Sequence, residues 1–238
     1  MDRKDIHSPI AGIKIGVIIM DTSHPLLPGN VQNALSFNFP VIYEIVSGIN
    51  FTQLMMGDES CDDPIKQAIS NLENKGVNII FGACGSFANW QTRARSYAEV
   101  PIYLSIMAQV PFILTGLPQK QKLGVMFATT KAFTDRVKSE CNIKDIERLI
   151  IFGAEEVKEF NDFFKSEATL EDGIKLTSSI VELCIRKKKE NPEIGAWLFQ
   201  CSELPVYAAA VQTNTGLPVY DQTLLITSQE AAFSRHTY

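Results

Sequence analysis

Short apolar runs alternate with longer amphipathic stretches along the whole chain, the pattern of a parallel sheet covered by helices. The runs predict strands over 13–20, 40–46, 77–81, 101–105, 122–128, 148–153, 196–200 and 218–220. The stretches between them predict helices over 64–75, 87–98, 106–116, 130–140, 155–165, 170–190, 204–213 and 224–232. Asp63-Pro64 supplies a side-chain cap followed by a pre-set φ, which suits a helix start, and Asn74-Lys75-Gly76 suits a helix end.

Two polar stretches interrupt this alternation as crossovers between lobes, 116–122 near mid-chain and 213–216. They divide the chain into a first α/β lobe, residues 1–116 plus 217–238, and a second, residues 117–216, with the final strand returning to the first lobe. The longest non-periodic segment, 21–39, carries Pro25, Pro28 and Gly29 directly after the first strand. A loop of that length at a strand's carboxyl end is characteristic of a ligand contact or a lid.

The 45% hydrophobic and 21% charged residues are those of a globular protein. A net charge of −5 argues against a nucleic-acid or anionic-membrane partner. The one basic run, Arg186-Lys187-Lys188-Lys189, falls where cations complement the negative end of a helix. The five cysteines form no CxxC pair and the three histidines are scattered, so neither a disulfide framework nor a metal site is expected. With no recognisable signal peptide and an odd number of thiols, a cytoplasmic address is expected.

Two of the thiols stand out. Cys84 follows the apolar run 77–81 and precedes Gly85-Ser86; Cys201 follows 196–200 and precedes Ser202-Glu203. They lie 201 − 84 = 117 positions apart, about half the chain. A thiol at the carboxyl end of a strand faces the crevice where open α/β sheets bind ligands. The N–H groups opening the next helix favour its thiolate, poising it for proton exchange near neutral pH. Two such sulfurs, one thiolate and one thiol, form an acid/base pair suited to moving a proton on carbon next to a carboxylate. The chain shows no phosphate-binding glycine loop, serine elbow or dinucleotide fingerprint, which points to cofactor-free chemistry. Cys184 reads as a buried small hydrophobe within a helix, and Cys61 and Cys141 as incidental.

The residues also resemble a known group. Pro28-Gly29-Asn30-Val31 with Phe39-Pro40-Val41, Ala83-Cys84-Gly85, 105–111, 124–129, 201–212 and 216–221 together are similar to the aspartate/glutamate/hydantoin racemase superfamily, in particular to its putative aspartate/glutamate racemase branch, over nearly the whole chain. That resemblance implies two flavodoxin-like lobes with parallel sheets related by a pseudo-twofold axis, with the active site in the interlobe cleft. It implies a two-base mechanism with Cys84 and Cys201 on opposite faces of the substrate, no cofactor, and a homodimer. Donors to the substrate carboxylate would be Gly85, Ser86, Thr129, Thr130 and Ser202; Asp21 and Glu203 would assist the first and second thiol. Each has a plainer reading, as a helix cap for the hydroxyls and as a solvated carboxylate for Asp21 and Glu203. The chain departs from the branch after the second thiol, with Ser202, Glu203 and Pro205-Val206 for threonine, asparagine and a double proline. Leu26-Leu27 stand where an arginine is common, so no cation for a second substrate carboxylate is evident.

The leading expectation is therefore an isomerase, a cofactor-independent racemase or epimerase of an amino acid or related α-substituted acid. The alternative is a lyase on the same scaffold, in which a thiolate takes a proton and expels a β-leaving group, as in the sulfoniopropionate-cleaving members, or a decarboxylase. A non-catalytic small-acid-binding module is the third reading.

Overall fold

The computed structural model describes residues 12–163 and 169–234. Among the described residues eight strands form two four-stranded, all-parallel sheets. The first has the order β2 (Val41–Ile45), β1 (Ile15–Ile19), β3 (Ile79–Gly82), β4 (Ile102–Tyr103). The second repeats it with β6 (Leu149–Gly153), β5 (Lys122–Phe127), β7 (Ile194–Phe199), β8 (Val219–Asp221). The helices are α1 (Phe51–Met56), α2 (Asp62–Asn74), α3 (Gln91–Tyr97), α4 (Val110–Gly116), α5 (Asp135–Glu140), α6 (Lys158–Phe163), α7 (Leu170–Glu190), α8 (Ala208–Thr215) and α9 (Gln222–Phe233). The expected helix over 155–165 runs past the described residues at its end.

Alternation along each strand sorts the side chains onto two faces. In the first sheet Ile18 and Ile80 face outward onto α2, whose buried Ile65, Ala68, Ile69 and Leu72 follow helical spacing. In the second sheet Met126, Trp197 and Phe199 face α7 and α8. The opposite faces meet in one core shared by the two sheets: Ile15, Val17, Ile79 and Phe81 from one, Leu123, Val125, Phe127 and Leu198 from the other. Both faces are therefore covered, which is why the strand sequences are nearly continuous apolar runs.

The structure differs from the expected lobe assignment at the end of the chain. β8 pairs with β7 in the second sheet, Phe199 opposite Asp221, and does not return to the first. The return is made by α9, where Gln222 Nε2 donates to the Tyr103 carbonyl (3.3 Å) and Thr223 Oγ1 to the Gly29 carbonyl (3.1 Å). The mid-chain crossover is stapled by Arg148, whose guanidinium donates to the carbonyls of Leu114, Leu117, Pro118 and Gln121. The basic run does close α7: Arg186 and Lys187 pair with Glu156, and Lys188 Nζ donates to the Pro192 and Ile194 carbonyls. Among the described residues no helix is long and apolar enough to cross a membrane.

Candidate active site

Each thiol stands immediately beyond a strand of its own sheet. Ala83 N donates to the Ile18 carbonyl (2.8 Å), fixing the end of β3, and Cys84 then opens a 3₁₀ turn over Gly85–Trp90 from an extended backbone. Gln200 N donates to the Met126 carbonyl (2.9 Å), fixing the end of β7 before Cys201. The α-helical part of the first turn begins only at Gln91, so Cys84 is served by local donors rather than by a long helix dipole. Ser86 turns both its backbone N–H and its hydroxyl to the Cys84 sulfur, and the Glu203 backbone N–H serves Cys201.

The two turns abut. Gly85 lies so close to Gln200 that a Cβ there would fall well inside 3.0 Å of the Gln200 amide carbon, its nitrogen and its main-chain oxygen. Only a residue without a side chain lets the residue after one thiol rest on the residue before the other. Glu203 is buried beside both thiols, and the charges that act on them are those of Glu203 and, for Cys201, of Cys84.

This environment reverses one expectation. Burial pushes the Cys84 thiol up to about 11; the two Ser86 donors pull it down and the Glu203 carboxylate adds to the rise. Burial pushes Cys201 further, well above the usual thiol range, again with Glu203 and then Cys84 adding to it. Both sulfurs are thus protonated at neutral pH in the resting site, because desolvation of a thiolate beside a carboxylate outweighs a few N–H donors. Burial, then Glu203 and Cys201, likewise raises the neighbouring Tyr207 phenol.

Glu203 is held by the long loop that follows β1. His24 Nε2 lies 2.9 Å from Glu203 Oε1, and Asn30 Nδ2 donates to Glu203 Oε2. The loop is docked onto the second lobe along its length: Leu27 is buried in that lobe's outer core against Gly173 of α7, and Gly29, at φ 105°, backs onto the main chain of Val206. His24, whose ring stands edge-on to Phe163 with centroids 6.0 Å apart, and Asn30 carry no obvious motif as site residues. The place of Asn30 in Pro28-Gly29-Asn30-Val31 is the one cue the sequence offers. His7 and His236 lie outside the described residues.

The remaining expected residues divide. Gly85, Ser86, Ser202 and Glu203 are buried around the thiols. Asp21 is exposed at the end of the first strand. The hydroxyls of Thr129 and Thr130 are committed to Glu155: Thr130 N and Oγ1 donate to Glu155 Oε1 at 2.8 and 2.9 Å, and Thr129 also caps the turn that follows it. Burial tends to raise Glu155, but these bonds hold its carboxyl below the ordinary range. The threonines therefore brace the second lobe rather than offering free donors.

Behind Cys84 the first turn is clamped from the second lobe. Buried Asn89 donates to the Ser86 carbonyl (3.2 Å) and accepts from Thr134 Oγ1 (3.0 Å), while Arg136 of α5 donates to the Asn89 carbonyl (2.8 Å) and the Gly57 carbonyl (2.7 Å). Cavities of about 670 Å³, beside Tyr103 and Phe112, and 470 Å³, beside Phe51 and Met56, are lined by none of the residues of the thiol turns. Among the described residues no group of three His, Cys, Asp or Glu is arranged to hold a metal ion.

The chain is 31% identical over 214 residues to a dimethylsulfoniopropionate lyase of Durusdinium sp. clade D, covering 87% of this chain and 70% of the relative. It is 30% identical over 228 residues to dimethylsulfoniopropionate lyase 3 of Emiliania huxleyi strain CCMP1516, covering 92% of this chain and 59% of that relative, so it spans little more than half of the latter's length. No family model matches the chain. Among solved structures it is similar to an allantoin racemase from Klebsiella pneumoniae (TM-score 0.62, 13% identity, covering 93% of this chain and 87% of the other). An aspartate racemase homologue from Pyrococcus horikoshii OT3 is also similar (TM-score 0.57, 19% identity, 92% and 97% covered). The two-lobed α/β fold is thus that of the racemases, but the expectation of an isomerase is overturned, because the curated relatives are lyases. The sequence likeness shows that the chain belongs to the dimethylsulfoniopropionate lyase family, carried on the two-lobed fold it shares with the racemases.

Proposed function

We propose that this chain is a cofactor-independent lyase that cleaves dimethylsulfoniopropionate, or a close sulfonio acid, by β-elimination. One observation carries the reading beyond family likeness: two thiols from opposite lobes share a single buried carboxylate, Glu203. A zwitterion with a sulfonium at its far end gains from it, and brings the positive charge needed to ionise a thiol whose resting pKa is high.

Cys84, with two Ser86 donors and the lower pKa of the pair, is the base, and Cys201 stays protonated. The Cys84 thiolate takes the proton from the carbon next to the carboxylate. The freed electron pair forms the carbon–carbon double bond as the bond from the β-carbon to sulfur breaks, and dimethyl sulfide leaves with that bond's electrons. The products are acrylate, dimethyl sulfide and a protonated Cys84. Charge building on the substrate carboxylate in the transition state is met by the buried donors around the thiols.

The test is direct. Purified protein given dimethylsulfoniopropionate should release dimethyl sulfide into the headspace and acrylate, seen by its vinyl protons, in equal amounts. Cys84→Ser should abolish both. Wild-type protein that exchanges the α-proton in D₂O without forming acrylate, or does neither, would refute the lyase reading.

A further inference from the structure

We infer that the Gln200 carboxamide binds the substrate carboxylate and so sets which way round the substrate lies between the thiols; this rests on the lyase reading above. Gln200 stands between β7 and Cys201, is 4% exposed, and its Nε2 has no hydrogen-bond partner among the described residues. A buried N–H₂ without an acceptor is costly and uncommon in a folded chain. Here it is also placed with care: Gly85 has no side chain where one would strike the amide, so the unpaired donor rests on the residue that follows Cys84. The amide therefore sits at the seam of the two thiol turns, where a ligand between the sulfurs would meet it.

The charges in the site select the ligand. Glu203 is the buried anion acting on both thiols. A plain carboxylate ligand would be repelled by it, whereas an acid carrying a cation a few bonds away can place the cation toward Glu203 and the carboxylate on Gln200. The carbon between them then faces the sulfurs. A neutral amide suits the carboxylate end, since its hydrogen bond strengthens as negative charge develops there without pairing the thiolate into inactivity.

Calorimetric titration with two uncleavable probes tests this: 3-(trimethylammonio)propionate, which keeps both charges, and propyltrimethylammonium, which lacks the carboxylate. Gln200→Leu should weaken the zwitterion by at least about tenfold, leave the cation-only probe unchanged, and raise KM for dimethylsulfoniopropionate more than it lowers kcat. The isosteric Gln200→Glu, which sets an anion against the carboxylate, should weaken the zwitterion without weakening the cation-only probe, and serves if the leucine variant does not fold. Wild-type affinity for the zwitterion in either variant, or equal weakening of both probes, overturns the assignment. Acrylate release by wild type alongside such a result would leave the lyase reading standing, and its absence from wild type would remove both.

Discussion

Gly85→Ala is the sharpest probe of the seam between the thiol turns. The added Cβ would overlap the Gln200 amide and, more seriously, its main-chain oxygen. The amide can swing aside, but the main chain is tied by the Gln200 N–H to the Met126 carbonyl at 2.9 Å. Relief therefore requires the turns to part by roughly 1 Å, a misplacement that can cost about a hundredfold in rate when it separates reacting groups. Overpacking of this kind costs about 2 kcal/mol. At about 2–4 °C per kcal/mol for a chain of this size, the melting temperature should fall by roughly 4–8 °C. The assays are a thermal melt and the initial rate of acrylate release. Gly116→Ala, where a Cβ meets open space, is the control and should leave both unchanged. A Gly85→Ala protein that melts with wild type and keeps its rate within about threefold would refute the abutment, and with it the convergence of the thiols.

Because burial sets the Cys84 thiol at about 11 and the base must be ionised, kcat/KM should climb with pH from neutrality toward that value; a flat profile from pH 7 to 9 would contradict the assignment. Cys141 and Cys184 are pushed to about 12, by burial alone for Cys184 and by burial and then Glu140 for Cys141. The native state keeps protons that the unfolded chain releases, so this stability is whole below about pH 9 and is lost as pH rises toward 12, by up to ~4 kcal/mol per thiol. The urea midpoint should accordingly fall between pH 9 and 12, and Cys184→Ala should flatten part of that fall while lowering stability at pH 7. Arg136→Ala removes the guanidinium donors to Asn89 and Gly57, for about 2–3 kcal/mol, and should change the pH dependence of Cys84 alkylation by iodoacetamide; an unaltered alkylation profile would show that the clamp does not reach the sulfur.

The fold was readable because fully buried parallel strands leave an unmistakable trace: 194–199 has every residue buried, and its apolar run survives any shift of register. α7 was equally plain, with its Thr169–Asp172 capping box at one end and three lysines at the other. The short α1 is not legible in the sequence although Asn50 and Gln53 form a capping box and Gly57 ends it in the left-handed region, since six residues cannot show a period. The allegiance of β8 is hidden because a run of three residues pairs as well with one sheet edge as with another. At the site, strand-end context singles out Cys84 and Cys201, but His24, Asn30 and Gln200 act across the lobes. Their roles depend on burial and on which donor lacks an acceptor, and neither is written in local sequence. The same holds for the thiol pKa values, set by a carboxylate that folding brings beside both sulfurs.

The core that the two sheets hold in common has a consequence for how the molecule lives and dies. Duplicated architecture suggests halves that could melt separately, yet each half's inner face is the other's wall. Severed at residue 117, either piece would present a broad greasy surface to water and clump rather than fold. The chain should therefore denature in one cooperative step, and a ligand should reach the half-buried sulfurs without the lobes swinging apart.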